Sequence, residues 1–184
     1  MKSLIEIYDS NKELTNNTGG GDKGTIHSYL SHYDELLTPY RNNSTFLEIG
    51  IWNGQSIRMW DEYFINSIVV GVEILENRTG GLHTNPNFNV MVADATKLEF
   101  LDRIKDLSFD VIIDDGSHYL HEQILSFNLL KDKMNKGGIY IIEDIKNIDY
   151  SRHYFEGSLH HNCEIRDLRA EKNRKDDVLV IYRF

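Results

Sequence analysis

The sequence predicts an α/β fold: a mostly parallel sheet with helices on both faces and an antiparallel hairpin at its C-terminal end. Between residues 45 and 142, five short apolar runs alternate with segments whose apolar residues recur at helical spacing. This alternation is typical of β–α units in a parallel sheet. After residue 160 the pattern changes to two apolar runs joined by the polar turn Glu171 to Asp177, which indicates an antiparallel hairpin at one edge.

A helix is expected before the first strand, because apolar residues recur with a period of 3.6 from Ile26 to Tyr40 and Pro39 helps to end the pattern. The strands are then expected at 45–51, 67–74, 88–93, 109–113, 139–142, 163–170 and 178–184. The helices between them are expected at about 55–64, 96–105 and 120–134. The pair Gly137 and Gly138 is expected to end the third of these helices. Residues 145–160 are expected to form a loop or a short helix.

Residues 1–21 are polar and end in the run Asn16 to Gly21, so a flexible N-terminal segment is expected there. Residues 22–184 are expected to form a single domain. A chain of 184 residues is long enough to bury one full hydrophobic core.

The formal net charge of −9 disfavours nucleic acid and anionic membranes as partners, because phosphate binding needs a basic patch. Cys163 is the only cysteine, so no internal disulfide can form and a reducing compartment is expected. The sequence has no signal-peptide pattern and no apolar run of membrane-spanning length. A cytoplasmic location is therefore expected.

Two acidic runs directly follow predicted buried strands: Asp114-Asp115-Gly116-Ser117-His118 and Glu143-Asp144. The carboxyl ends of parallel strands share one edge of a sheet, where open α/β sheets bind their ligands. Several carboxylates at one edge repel each other unless a cation lies among them. The two runs therefore predict a divalent metal site with an imidazole beside it that can act as a base.

The turn after the first strand, Glu48 to Ser56, carries a second pattern. Gly50 and Gly54 follow a buried strand, and glycine lets the backbone turn tightly and approach a ligand closely. Their Gly-x-x-x-Gly spacing differs from the Gly-x-Gly-x-x-Gly of dinucleotide binders, which disfavours a dehydrogenase. Glu73 ends the second strand, where it can accept hydrogen bonds from ribose hydroxyls, and Asp94 ends the third.

Residues 44–184 resemble the class I S-adenosylmethionine-dependent methyltransferases. Five residues match the pattern of that class in order and spacing: Glu48, Gly50, Gly54, Glu73 and Asp94. The resemblance implies a Rossmann-like methyltransferase fold, in which the predicted strands form a seven-stranded sheet, and one methyltransferase domain at residues 22–184. It also implies that these five residues bind S-adenosyl-L-methionine, with Glu73 at the ribose and Asp94 at the adenine edge or its loop.

The acidic runs resemble those of a narrower group, the metal-dependent O-methyltransferases of macrolide sugars and the related methyltransferase-like proteins of the cephalosporin pathway. By position, this resemblance implies that Asp115, Glu143 and Asp144 bind Mg²⁺ or another divalent cation such as Mn²⁺. It implies that His118 is the catalytic base and that Asp115 takes part in catalysis through the metal.

The stretch from Asp22 to Tyr29 also resembles this group. Lys23 is expected to meet the cofactor's carboxylate or a substrate anion, and a lysine of a flexible loop without such a contact fits the sequence equally well. Asp114 is expected to support the cofactor site through hydrogen bonds to loop amides.

The leading hypothesis is an S-adenosylmethionine-dependent, divalent-metal-dependent O-methyltransferase acting on a hydroxyl of a sugar or other small vicinal diol. A hard cation can bind two neighbouring hydroxyls and lower the pKa of one. Two alternatives stay open: a catechol-like or metal-independent small-molecule methyltransferase, and a non-catalytic cofactor-binding partner subunit. The expected partner is a small molecule, a sugar or nucleotide-linked sugar, and neither nucleic acid nor a membrane. A homo-oligomer stays open, with no interface indicated.

The segment 146–161 is expected to cover the site, because it follows the second acidic run. It carries aromatic, imidazole and guanidinium side chains that suit a sugar: Tyr150, Arg152, His153, Tyr154, Phe155, His160 and His161. A surface loop with incidental histidines fits the same composition equally well.

Overall fold

A seven-stranded sheet forms the centre of the protein in a computed structural model, which describes residues 2–15, 21–158 and 162–184. Its strands are β1 (Thr45–Ile49), β2 (Ile68–Glu73), β3 (Asn89–Val92), β4 (Phe109–Asp114), β5 (Met134–Ile142), β6 (Cys163–Asp167) and β7 (Val178–Arg183). Their order is β3-β2-β1-β4-β5-β7-β6. The first five strands are parallel, and β7 pairs antiparallel with both β5 and β6. This arrangement confirms the predicted fold class.

The α-helices of the described residues are α1 (Leu4–Ser10), α2 (Lys12–Thr15), α3 (Asp22–Thr25), α4 (Tyr29–Leu37), α5 (Gln55–Tyr63), α6 (Leu98–Arg103), α7 (Leu120–Leu130), α8 (Ile148–Ser158) and α9 (Arg169–Lys172). Short 3₁₀ turns lie at Thr38–Tyr40, Glu76–Arg78, Leu82–Thr84 and Lys131–Lys133. Within the described ranges, none of these helices has the length and apolar character needed to cross a membrane.

Both faces of the sheet are buried, as the near-continuous apolar strands require. In β4, Val111 and Ile113 belong to one core cluster, while Phe109 and Ile112 belong to the cluster on the other face. The first cluster includes side chains of α1, α4 and α5, and the second includes side chains of α6, α7 and α8. Alternation along each strand thus fixes both layers, and the carboxyl ends of β1 to β5 meet at one edge.

The N-terminal segment is more ordered than the sequence predicts. Leu4, Ile7 and Tyr8 are buried, and Ser3 and Glu6 form a capping box that starts α1. Helical spacing of three apolar residues behind this cap explains the difference from the flexible segment expected at 1–21. The rest of that expectation, at 16–20, lies outside the described residues, and the domain boundary at residue 22 stays a prediction.

The predicted end of the third helix is wrong. The α7 helix ends at Leu130, and β5 already begins at Met134, so Gly137 and Gly138 lie inside a strand. Gly137 has a φ of +83° and donates a backbone hydrogen bond to the terminal residue, Phe184, over 2.8 Å. The glycines therefore accommodate an irregular strand pairing. From the sequence alone, the same two glycines indicate the end of a helix.

The segment after β5 is mainly helical. The α8 helix, at Ile148–Ser158, has 11 residues and anchors to the core through the buried side chains of Ile148 and Phe155. His160 and His161 lie outside the described residues, and the covering role of the 146–161 segment stays a prediction. The C-terminal strands are shorter than expected because the helical turn α9 lies between them.

Candidate active site

A cavity of about 610 Å³ lies at the carboxyl ends of the central strands. Its lining combines residues that the sequence predicts for two different tasks. Gly50, Glu73 and Asp94 come from the predicted cofactor set, and Asp115 and His118 come from the predicted metal and base set. Glu73 and Asp94 follow strands on one side of β1 in the sheet order, and Asp115 and His118 follow β4 on its other side, so the cavity bridges the two sets.

The glycines of the first turn allow close packing of the loops. Gly50 has a φ of +83°, and a Cβ built there would lie 2.1 Å from the carbonyl oxygen of Asp115. Gly54 precedes α5 with a φ of +74°. A side chain at position 50 would therefore push the β1 loop away from the β4 loop and separate the two halves of the cavity.

The carboxylate of Glu73 is fixed by backbone amides. The amide nitrogen of Trp52 donates to Oε2 over 3.1 Å, and that of Leu75 donates to Oε1 over 3.2 Å. Asp94 accepts from the amide and the hydroxyl of Thr96 over 2.9 and 2.6 Å. Both carboxylates are held in place at the cavity wall, with further lone pairs on their oxygens.

Glu48 is placed differently from the other predicted cofactor residues. Its carboxylate is fully buried and accepts hydrogen bonds from Ser56 Oγ over 2.7 Å and Trp60 Nε1 over 3.0 Å. Burial raises the pKa of Glu48 to about 7. Glu48 is absent from the cavity lining, and its contacts tie β1 to α5.

Asp115, His118 and Asp144 form a cluster that can hold a metal ion. One ligand atom from each lies within 4.8 Å of the others. His118 Nε2 is 4.0 Å from Asp115 Oδ1, and His118 Nδ1 is 4.0 Å from Asp144 Oδ2. His118 Nδ1 is buried and has no hydrogen-bond partner in the described part of the chain. Two carboxylates and an unpaired ring nitrogen thus face one point.

Glu143 and Lys23, which the sequence assigns to the metal and the cofactor, contact each other. The Lys23 ammonium lies 2.7 Å from Glu143 Oε1 and 2.5 Å from Asp115 Oδ2, with Glu48 Oε1 at 3.6 Å. Burial disfavours the charged ammonium, but these three carboxylates outweigh burial and raise the pKa of Lys23 well above its usual value. Lys23 therefore stays charged beneath the acidic cluster.

The α4 helix supplies two further contacts to the acidic cluster that are not predicted from the sequence. Tyr29 donates its hydroxyl hydrogen to Asp144 over 2.6 Å, and Tyr33 donates to Glu143 over 2.6 Å. Both tyrosines occupy positions of the apolar stripe of α4, so the sequence pattern indicates packing and does not reveal that their hydroxyls make hydrogen bonds. The sequence does contain one indication of these contacts: the apolar stripe has tyrosines at positions where leucine would be sufficient for packing, and a buried tyrosine hydroxyl usually has a hydrogen-bond partner.

Burial is the main cause of the raised pKa values of the carboxylates in the cluster. Burial and the neighbouring Asp115 raise the pKa of Asp144 to about 7 and raise the pKa of Glu143 well above its usual value. Burial also raises the pKa of Asp114 to about 6, although Ser126 and the Gly116 amide hydrogen-bond to this carboxylate. The site thus holds more carboxylates than the buried Lys23 can balance, which favours binding of a further cation.

Comparison with curated proteins shows similarity to sugar O-methyltransferases. The 8-demethyl-8-alpha-L-rhamnosyl tetracenomycin-C 2'-O-methyltransferase of Streptomyces olivaceus is 34% identical over 137 residues, which are 69% of this chain and 35% of that protein. The mycinamicin VI 2''-O-methyltransferase of Micromonospora griseorubida is 35% identical over 133 residues, 66% of this chain and 32% of that protein. The chain spans about a third of the length of these relatives.

Solved structures give the same result. The methyltransferase MycE in complex with Mg, SAH and mycinamycin VI is 30% identical, with a TM-score of 0.63, over 77% of this chain and 38% of MycE. A second MycE structure, with Mg and SAH, has a TM-score of 0.70 over 93% of this chain and 53% of MycE, at 24% identity. The chain belongs to the class I S-adenosylmethionine-dependent methyltransferases. No family model matches it.

Five of the predicted site residues are absent from the lining of the cavity. The residues absent from the lining, besides Glu48, are Lys23, Gly54, Glu143 and Asp144. Asp144 still reaches the metal cluster, whereas the Glu143 carboxylate is held by Lys23 and Tyr33. The candidate site thus consists of an open wall and a buried layer of charged residues behind it.

Proposed function

We propose that this chain carries the catalytic part of an S-adenosylmethionine-dependent, divalent-metal-dependent O-methyltransferase, acting on a hydroxyl of a sugar or other small vicinal diol. One observation carries the proposal: Glu73 and Asp94 line the same cavity as Asp115 and His118. The names of the curated relatives, and the Mg and SAH in MycE, support this assignment.

The cavity has a size and polarity that suit the cofactor. Its volume of about 610 Å³ lies within the range of about 300–1,000 Å³ typical of small-molecule sites. Glu73, fixed by two amides, would accept hydrogen bonds from the ribose hydroxyls, and Asp94 would fix the loop at the adenine. The backbone at Gly50 would lie beside the methionine end.

The acidic cluster fits a hard divalent cation. Asp115 and Asp144 offer oxygen ligands, and Glu143 lies behind them with one oxygen held by Lys23 and Tyr33. We assign these three carboxylates to the metal, with Asp115 and Asp144 as the more available pair. A cation held by these carboxylates would coordinate the acceptor hydroxyls and lower the pKa of one of them.

His118 is the proposed base. Burial lowers its pKa, so the imidazole is neutral at neutral pH and can accept a proton. The acceptor oxygen would give its proton to His118 and bond to the methyl carbon, while the carbon–sulfur bond breaks and its electron pair returns to sulfur. Asp115 and Asp144, each with an oxygen 4.0 Å from the ring, would stabilise the imidazolium.

Calorimetric titration tests the proposal. The protein should bind S-adenosylhomocysteine and Mg²⁺, and transfer a labelled methyl group to at least one member of a panel of methyl glycosides and nucleotide sugars, with loss of turnover in EDTA. Catechols in the same panel test the catechol-like alternative. Failure to bind S-adenosylhomocysteine at millimolar concentration would refute the proposal, and turnover that persists in EDTA would remove its metal part.

A further inference from the structure

Two residues that the proposed reaction does not use meet beside the cavity. Tyr119 directly follows the proposed base, lines the cavity and is 57% exposed. The Lys146 ammonium lies 4.5 Å from the centroid of the Tyr119 ring. Since Tyr119 adjoins His118 and Lys146 follows Asp144 by two residues, the pair joins the two loops that supply the metal cluster.

Lys146 carries a positive charge that no carboxylate neutralises among the described ion pairs. It is exposed, in contrast to the buried Lys23. In a chain of net charge −9, this lysine is a cation available to a ligand at the edge of the active site.

The pair has the chemistry of a carbohydrate subsite with an anion contact. An exposed aromatic ring offers a flat apolar surface on which the C–H face of a sugar can pack, with a polar hydroxyl at its end. A lysine ammonium is a compact charge that attracts a phosphate. A sugar whose hydroxyl reaches His118 would extend past Tyr119, because both residues line the same cavity.

We propose that Tyr119 and Lys146 form the outer part of the acceptor site, and that the acceptor is a sugar bearing an anionic group such as a phosphate. This inference rests on the proposed function, because it places the acceptor beside His118. In this proposal the pair determines which acceptor binds and takes no part in the methyl transfer itself. Tyr119 positions the sugar ring, and Lys146 selects an acceptor that carries a negative charge.

The experiment uses protein saturated with S-adenosylhomocysteine and Mg²⁺. It is titrated with glucose 1-phosphate, UDP-glucose, methyl α-glucopyranoside and inorganic phosphate. The wild-type protein should bind the two phosphorylated sugars at least tenfold more tightly than the methyl glucoside. K146M should remove this preference and K146R should retain it. Y119L should weaken every sugar at least fivefold, whereas Y119F should keep most of the affinity.

The controls separate the parts of the inference. Lys136, an exposed residue of β5, provides K136M as a matched loss of one charge, and it should change nothing. Inorganic phosphate that binds as tightly as the sugar phosphates would overturn the sugar subsite. Equal affinities in K146M and the wild type, or no sugar binding at 10 mM, would overturn the anion contact. If the protein fails one of these tests but still binds S-adenosylhomocysteine, only the further inference is refuted. If it does not bind S-adenosylhomocysteine, the proposed function itself is refuted.

Discussion

The ammonium nitrogen of Lys23 lies 2.7 Å from Glu143 Oε1, although 120 residues separate the two in the chain. The same nitrogen reaches Asp115 and Glu48, and both Lys23 and Glu143 are about 2% exposed. A lysine thus already balances part of the charge at a site that we assign to a divalent cation. The ammonium of Lys23 thus offsets part of the repulsion among these carboxylates before any metal binds.

The first prediction concerns this lysine. Removing one partner of a buried ion pair leaves uncompensated charge and costs about 3–5 kcal/mol, so K23M should lower the free energy of unfolding by that amount in EDTA. Mg²⁺ should restore part of the loss, because it supplies the missing positive charge. Urea unfolding with and without Mg²⁺ measures both effects.

The matched control for this lysine is K2M, since Lys2 pairs with Glu62 on the surface, with both side chains about half exposed. Such a pair contributes only about 0–1 kcal/mol. If K23M were as stable as K2M in EDTA, the buried lysine would not be the charge that balances the cluster.

The second prediction concerns Asp115. D115N removes one of the two more available carboxylates of the metal cluster. It should weaken Mg²⁺ binding by about 100-fold or more, because Mg²⁺ depends on a small number of charged oxygen ligands from the protein. Binding of S-adenosylhomocysteine should change by less than about threefold. Calorimetry measures both ligands, with D132N on an exposed turn as the control.

The third prediction separates a base from a metal ligand. H118Q should lower kcat by about 10²–10⁴-fold, the usual contribution of a general base. Its Mg²⁺ affinity should stay within about threefold of the wild-type value. Because His118 also lies in the candidate metal cluster, a large loss of Mg²⁺ affinity in H118Q would assign it to the metal instead.

The fourth prediction concerns the ribose contact. E73Q keeps an oxygen for only one of the two amides, that of Trp52 or that of Leu75, places an NH₂ donor against the other, and loses the charge. A hydrogen bond to a charged group contributes about 1.5–3 kcal/mol, so S-adenosylhomocysteine should bind about 10- to 100-fold more weakly. E76Q, at an exposed neighbouring position, should bind it normally. Equal affinities for the two variants would place the ribose elsewhere.

The fifth prediction is a pH dependence of metal affinity. Burial and Asp115 raise the pKa of Asp144 to about 7, so below that pH this carboxylate is protonated and a cation must displace the proton. Mg²⁺ affinity should therefore rise with pH, by up to about tenfold per unit below pH 7 for this carboxylate, and Glu143, whose pKa is also raised, should add to the rise. Titrations in buffers of different ionisation enthalpy should show proton release near pH 6 that decreases as the pH rises.

The strands and the wall of the cavity could be predicted from the sequence because both depend on local patterns. The apolar run before Asp114 reveals a buried strand, and chain direction alone then places Asp114 and Glu143 at the same edge. Gly137 misleads, because a glycine ends a helix and accommodates an irregular strand equally well, and only the pairing with β4 and β7 decides.

The buried layer of the site could not be predicted in the same way. The contacts of Lys23 with Glu143 and of Tyr33 with Glu143 join residues more than 100 positions apart. A sequence pattern shows which face of α4 is apolar but not which strand that face meets. The placement of Lys23 among carboxylates rather than at the cofactor follows from this tertiary packing.

The helical segment before β1 has a consequence for any attempt to isolate the catalytic sheet. Lys23, Tyr29 and Tyr33 all precede Thr45, the first residue of the sheet, yet they hold Asp115, Glu143 and Asp144. A fragment cut at the start of β1 would keep the seven strands and these three carboxylates while losing their counter-ion and two of their proton donors. Grafting the acidic edge onto another scaffold therefore requires transplanting α3 and α4 with it.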